Sequence, residues 1–161
     1  MERAIQSTVL SRLQSLLDRC LLNECPKWLR PHIPAGGLFL CPFGSTPAGL
    51  ASKGSDVDLV ILARETRAAP SDPTVCVAIL KTFATFLRRF PKEFAIFTLF
   101  HARVPLIKLQ SIQYGLSCDI SITTTSHYAK TRLLQGYCAV DPRVPQLIRT
   151  VKHWSKTRRV A

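Results

Sequence analysis

Apolar and polar positions change period several times along the chain, and each change marks an element. Ile5, Val9, Leu13, Leu16, Leu17, Cys20 and Leu21 recur at helical spacing, which predicts an amphipathic helix over residues 4–22. Pro26, Pro31 and Pro34 predict a loop that Gly36-Gly37 ends. Leu38 to Cys41 reads as a short strand, and Pro42 to Pro47 as a turn. Asp56 to Leu62, Asp-Val-Asp-Leu-Val-Ile-Leu, has strand length and is rich in β-branched residues. A polar connection follows, then a helix from Thr74 to Arg89 with Val75, Ile79, Phe83 and Phe86 on one side and Pro91 beyond its end. Phe94 to Phe100, Val104 to Leu109 and Leu116 to Ile122 are the next strands. From Ser126 the period is helical again, through Leu133, Leu134 and Tyr137. Asp141-Pro142 predicts an N-cap with proline at the first position of a last helix, which carries Val144, Leu147, Ile148, Val151 and Trp154.

The order is therefore helix, two strands, helix, three strands, two helices. It predicts an α+β fold, a mixed β-sheet with flanking helices, followed by the start of a helical second domain. The expected division is residues 1–125 and residues 126–161. The chain stops inside the helical pattern, which reads as an unfinished helical module. Its 161 residues, 47% of them apolar, suffice for a packed core. No apolar run approaches the ~20 residues that span a bilayer. Glu2 and Arg3 open a mixed helical pattern and not the apolar core of a secretory signal. Arg3, Arg12 and Arg19 would suit a mitochondrial presequence, but Glu2 and Asp18 favour a structural helix. Six cysteines (Cys20, Cys25, Cys41, Cys76, Cys118, Cys138) form no CxxC pair and no grouping with histidine. Buried reduced thiols in a reducing intracellular compartment are the expectation, without zinc.

Charge sharpens the picture. Lys and Arg number 22 against 10 Asp and Glu, a formal net charge of +12, which favours a polyanionic partner. Three of the ten acids, Asp56, Asp58 and Asp119, sit inside apolar strand-like runs, where a carboxylate is costly. Asp56 and Asp58, two apart on a strand, point to one face while Val57 and Leu59 point to the other. Adjacent carboxylates repel unless something positive lies between them, and Mg²⁺ takes one or two carboxylates plus phosphate oxygens. By itself the pair also suits an ordinary exposed strand start. Asp119 lies opposite the apolar face of Leu116, Cys118, Ile120 and Ile122, together with Ser117 and Ser121. If its strand runs beside the Asp56–Asp58 strand, the carboxylates converge and could hold two metals about 3.5–4 Å apart. Gly44-Ser45, in the turn before the Asp strand, could bring backbone N–H groups and a hydroxyl to a phosphate, although such dipeptides are common in plain turns.

The spacing of these pieces is more specific than any one of them. Phe43-Gly44-Ser45, Gly49, Ser55-Asp56-Val57-Asp58-Leu59 and the distant Asp119 together resemble the DNA polymerase β-like nucleotidyltransferase superfamily. Arg103-Val104-Pro105-Leu106-Ile107-Lys108, Asp141-Pro142-Arg143-Val144 and Val151-Lys152-His153-Trp154-Ser155-Lys156 narrow the resemblance to its terminal uridylyltransferase and poly(A) polymerase branch. The resemblance spans Leu38 to Val160. It implies a catalytic palm domain with Asp56, Asp58 and Asp119 as ligands of Mg²⁺ or Mn²⁺, and Gly44 and Ser45 on the nucleotide phosphates. Lys152 and Lys156, at i and i+4 on the last helix, would reach those phosphates from the second domain. The implied partners are a nucleoside triphosphate, UTP or ATP, and an RNA 3′ end. The implied reaction is template-independent transfer of a nucleotide with release of pyrophosphate. No membrane partner is expected.

This chain departs from the branch in two places. Lys130-Thr131 stands where many relatives have Asn-Thr, so recognition of sugar and base does not carry over. The resemblance also implies a later segment with a base-reading loop, beyond residue 161, so a fragment, a truncated product or half of a site completed elsewhere is expected, and the isolated chain is expected to add few nucleotides. Two other functions remain: a nucleotidyltransferase acting on a small substrate, and an RNA-binding module that keeps the fold without turnover. The +12 charge favours RNA over a small substrate, and the intact carboxylates favour turnover.

Overall fold

A computed structural model describes residues 2–52, 54–122 and 126–158 of the chain; the last residues of the resembling stretch, to Val160, lie outside the described residues. Helix α1 spans Glu2–Asn23. It buries Val9, Leu13, Leu16, Leu17 and Cys20, the expected stripe. The proline-rich stretch after it is not wholly irregular: Arg30–His32 form one 3-10 turn with proline in its first turn. The fixed φ of Pro31 suits that turn.

Strands β1 (Leu38–Pro42), β2 (Val57–Ala63), β3 (Phe94–Leu99), β4 (Leu106–Ser111) and β5 (Ser117–Ser121) form a single sheet in the order β1-β2-β5-β4-β3. Only the β2–β5 pair is parallel; β1–β2, β5–β4 and β4–β3 are antiparallel. The sheet is mixed, as expected. β4 begins two residues later than the sequence pattern suggests and runs on through Ser111. Its pairing with β3 sets those limits: Leu99 lies opposite Leu106 and Phe94 opposite Ser111. Helix α2 (Pro73–Leu87) starts on Asp72, whose carboxylate accepts from the Thr74 N–H at 2.7 Å, with proline at the next position.

Helices α1 and α2 pack on each other and on one face of the sheet. The core joins Leu13, Leu16 and Leu17 of α1, Ile79, Leu80 and Phe83 of α2, and Val57, Leu59, Ile61, Ile107, Leu109, Cys118 and Ile120 of the sheet. Val60 and Leu62, on the opposite side of β2, are buried as well. A central parallel strand covered on both faces reads as an unbroken apolar run, which is how β2 reads after Asp58. The edge strand β1 borrows hydrogen bonds from α1. The Gln14 amide donates to the Leu38 carbonyl at 3.2 Å, and its oxygen accepts from the Leu40 N–H at 2.8 Å. That occupies part of an edge which would otherwise present free backbone groups.

Helices α3 (Ser126–Val140) and α4 (Arg143–Thr157) follow the sheet and contact each other. Pro142, not Asp141, occupies the N-cap position of α4. The Asp141 carboxylate instead accepts from the Arg143 N–H at 2.8 Å and pairs with the Arg143 guanidinium. Asp72 makes the same bond at the start of α2, so Asp141 still serves a free N–H of the first turn while Pro142 stands at the boundary. All six cysteines are free. Cys20, Cys25 and Cys118 are buried, while Cys41, Cys76 and Cys138 are only half-buried, so the expectation of buried thiols holds for the first three. Burial pushes the Cys20 and Cys118 thiols up to about 12, which keeps them neutral and unreactive. Among the described residues no helix is long and apolar enough to cross a membrane.

Phe83 is fully buried where α2 meets the sheet, whereas Leu22 at the end of α1 is 73% exposed. Phe83→Ala is expected to cost about 3–5 kcal/mol of unfolding free energy, and Leu22→Ala less than about 0.5 kcal/mol. Urea unfolding of both variants, followed by circular dichroism, measures the contrast.

Candidate active site

The parallel pairing of β2 with β5 places Asp58 directly opposite Asp119. Neighbouring strands lie about 4.8 Å apart, and partners in register share a face. On the other side of β5, Lys108 of β4 is the partner of Asp119. Asp58, Asp119 and Lys108 thus form one row across three strands. Asp56 precedes β2 and is exposed, and its charge acts on Asp58. Alternation gives the neighbouring core residues Val57, Leu59, Cys118 and Ile120 to the face under α1 and α2. The carboxylates occupy the face those helices leave uncovered.

The electrostatics are those of too much negative charge in a half-buried place. Burial, then the charges of Asp119 and Asp56, hold the Asp58 carboxyl above its ordinary range, while Lys152 and Lys108 pull it down. The Lys108 ammonium lies 3.1 Å from Oδ2 of Asp119 and 3.4 Å from Oδ1, and that hydrogen bond holds it above the usual lysine range. Among the described residues no three or more His, Cys, Asp or Glu side chains are grouped so as to hold a metal ion by themselves. The oxygen donors are of the hard kind that Mg²⁺ and Mn²⁺ take. The cost of burying Asp58, and the repulsion that Lys152 and Lys108 leave in place, are what a cation would relieve. The chemistry of these donors fits a divalent ion held in part by ligands from outside the protein.

Gly44 makes the close approach. Its φ is +72°, and a Cβ there would stand 3.2 Å from Oδ2 of Asp58. Only glycine takes this backbone angle freely while leaving the space open. The loop folds on itself, the Leu50 N–H donating to the Ser45 carbonyl at 2.8 Å and the Phe43 N–H to the Asp58 carbonyl at 3.0 Å. The two later helices hold it from outside. The Gly44 N–H donates to the Thr131 hydroxyl at 2.8 Å, and the Gln135 amide donates to the Pro47 carbonyl at 3.1 Å. From α4, Arg149 donates twice to the Gly49 carbonyl, at 2.7 and 3.2 Å, and Lys152 reaches the Leu50 carbonyl at 3.5 Å.

The structure therefore gathers Asp56, Asp58, Asp119, Gly44 and Lys152, with Ser45 next to Gly44 in the same half-buried loop. Lys156 is exposed one turn further along α4, and it is not among the charges that act on Asp58. The Gly44 amide, expected to face a phosphate, is engaged by Thr131. Lys108, Thr131, Gln135 and Arg149 received no role from sequence. A charge at Lys108 between the buried Ile107 and Leu109 was the available signal for the first, because it marks the face of Asp119. Arg149 stands three residues before Lys152 on the same helix face. Thr131 and Gln135 carry no comparable signal. A larger cavity, of about 530 Å³, lies on the helix side of the sheet between α1 and the loop and is walled by Val57, Leu59 and Cys118. It is separated from the carboxylates by the sheet itself.

The family model described as poly(A) RNA polymerase, mitochondrial-like, central palm domain matches residues 4–139. The chain belongs to this family. It is 32% identical to Poly(A) RNA polymerase cid13 of Schizosaccharomyces pombe over 160 residues, covering 92% of this chain and 26% of that protein. It is 34% identical to human Terminal uridylyltransferase 4 over 117 residues, covering 73% of this chain and 7% of that protein. Its structure resembles that of Cid1, an RNA terminal uridylyl transferase, with a TM-score of 0.72 and 28% identity. The match covers 96% of this chain and 40% of Cid1. Homologues and structural neighbours are RNA nucleotidyltransferases, and the mixed sheet with flanking helices is their palm fold. The chain spans about a quarter of the length of cid13.

The palm's charge arrangement has a measurable consequence. A carboxyl raised by folding favours the folded state at low pH and loses that contribution as pH rises through its folded value. At neutral pH without divalent cation, Asp58→Asn is expected to raise Tm by about 2–4 °C, equivalent to about 1 kcal/mol in a chain of this size. The gain should shrink as the pH is lowered into the ordinary carboxylate range. Thermal scans in chelator at several pH values test this, and an unchanged or lowered Tm at neutral pH would contradict it.

Proposed function

We propose that this palm transfers a nucleotide from a nucleoside triphosphate to an RNA 3′ hydroxyl without a template. The observation that carries the reading is the register of β2 on β5, which sets Asp58 against Asp119, beside a loop whose Gly44 comes so close to the Asp58 carboxylate that a Cβ there would stand 3.2 Å from Oδ2. The 3′ oxygen forms a bond to the α-phosphorus as the bond from that phosphorus to the bridging oxygen breaks. The hydroxyl proton passes to solvent, and pyrophosphate leaves. Mg²⁺ or Mn²⁺ bound by Asp56, Asp58 and Asp119 would supply stabilisation of the charge that develops on the reacting oxygens. Structures of Cid1 with Mg and 3′-dATP, with the UTP analogue UMPNPP and with the product ApU support the same ligand classes here.

The chain's own residues divide the work. Lys152, already at the loop and felt by Asp58, binds the triphosphate as a fixed positive charge. Gly44 and Ser45 shape the loop on which the phosphates lie, and Thr131, Gln135 and Arg149 position that loop. Lys108 balances Asp119, so that the row does not carry its full negative charge. In this reading α3 and α4 begin a helical domain whose contribution to the palm is to grip the nucleotide loop. Lys156 would meet the phosphates only from its exposed position. The net charge of +12 favours RNA over a small acceptor.

Steady-state kinetics in a catalytically active form of the protein separate these roles. Asp58→Ala should lower kcat by at least ~10³-fold while RNA affinity at fixed salt stays within about twofold, because its carboxylate acts on charge present only in the transition state. Lys152→Ala should raise the KM for nucleoside triphosphate about tenfold with a smaller effect on kcat, because it holds phosphates in the ground state as well. Loss of RNA binding by Asp58→Ala with unchanged turnover on saturating RNA would remove the catalytic reading and leave an RNA-binding module.

A further inference from the structure

The row that joins Asp58, Asp119 and Lys108 does not stop at Lys108. On the next strand its register partner is Phe97 of β3. Phe97 is 62% exposed, on the same face as the carboxylates. A large aromatic ring in that position is buried by nothing in the palm. The adjacent row consists of Ser117, Gln110 and Ala95, paired strand to strand, and it points at Asp56, which stands one residue ahead of the β2 register. Together the two rows line a cleft of about 300 Å³ running from Asp56 and Asp119 to Phe97.

The chemistry of the reaction says which substrate comes from this side. In nucleotidyl transfer the attacking oxygen and the leaving pyrophosphate lie roughly in line on opposite sides of the α-phosphorus. The Gly44–Ser45 loop and Lys152 sit at the β2 end of the carboxylate row, so a triphosphate held there directs its leaving group toward β1. The attacking hydroxyl must then arrive from beyond Asp119, across β5, β4 and β3. What it meets there is a floor with one small side chain, Ala95, an exposed amide, Gln110, an ammonium, Lys108, and an aromatic wall, Phe97. Phe97 stands two strands from Asp119, about 10 Å. An exposed aromatic with a neighbouring cation is the usual platform for an unstacked base of single-stranded nucleic acid, and an amide can bond a base edge or a ribose hydroxyl.

We infer that Phe97 is a positioning residue for the acceptor, the surface on which the 3′-terminal base of the RNA stacks so that its 3′ hydroxyl reaches the carboxylates. The inference rests on the function proposed above and adds to it the face by which RNA enters. Gln110 and Ser117 line the path of that terminal nucleotide. Stacking tolerates every base, so Phe97 fixes the position of the end without reading its identity.

Photocrosslinking tests this on the protein as it stands, with Mn²⁺ and a non-hydrolysable nucleoside triphosphate at fixed salt. A single-stranded oligoribonucleotide carrying 4-thiouridine as its last nucleotide should crosslink to the peptide containing residues 94–99. Phe97→Ala should cut that yield about tenfold, Phe97→Trp should retain it, and both should bind the triphosphate like wild type. Moving the 4-thiouridine several nucleotides upstream should abolish the crosslink. A yield unaffected by Phe97→Ala, or a crosslink confined to other peptides, overturns the inference while normal triphosphate binding leaves the proposed function standing. Labelling of residues 94–99 by 4-thio-UTP instead of the RNA would also overturn it, by giving the cleft to the incoming nucleotide. Failure of a catalytically active form of the protein to bind triphosphate would instead defeat the proposed function itself.

Discussion

Two carboxylates facing each other across a parallel strand pair are a constraint before they are a site. Asp58 and Asp119 come from segments 61 residues apart, and the β2–β5 register sets them side by side. A slip of one residue would turn Asp119 toward α1 and α2 and leave Cys118 and Ile120 without their core contacts. The register is therefore enforced by the apolar side of the same strands. The buried Cys118, Ile120, Val57 and Leu59 fix where the acids point, and the cost of repulsion on Asp58 is borne by the stability of that packing.

The surroundings of this pair compensate it in two directions. Along the sheet, Lys108 pairs with Asp119 and sets one positive charge beside the two adjacent negative ones. This exposed ion pair contributes little stability of its own, but it keeps Asp119 from adding its whole charge to Asp58. Above the sheet, the glycine loop approaches Asp58, and four side chains of α3 and α4 bond its backbone groups. The loop carbonyls of Gly49 and Leu50 take positive donors from α4, so the helix that brings cations to the site is anchored by the loop it serves. Position of the loop, position of the helix and charge at the carboxylates are coupled through these contacts.

Much of this was legible along the chain. Helices α1 and α2 and the five strands could be located from apolar period, and Asp58 declared its face because side chains alternate on any strand, although Asp56, read as the start of that strand, stands just before it. Asp119 was conspicuous as a lone acid on the polar side of an otherwise apolar strand. The ends of elements were read less well. β4 took its limits from its partner strand, and α4 starts one residue later than the Asp141-Pro142 pair suggests. The limits of β4 depend on a partner that local propensity does not contain.

What the sequence determined by itself was the alternation of core and acid within each strand, and the kinds of groups available: hard oxygen donors, a close-approach glycine, an excess of cations. Strand order and register were decided only in three dimensions, because pairing energy belongs to two segments at once and is not a property of either. The same holds for Thr131 on Gly44, Arg149 on Gly49 and Phe97 beyond Lys108. Each is an ordinary residue in an ordinary helix or strand until folding sets it beside the loop or the carboxylate row. Distance along the chain carries no information about that, since the hydrogen bonds and the shared sheet face that create these neighbours form only when the whole core is packed.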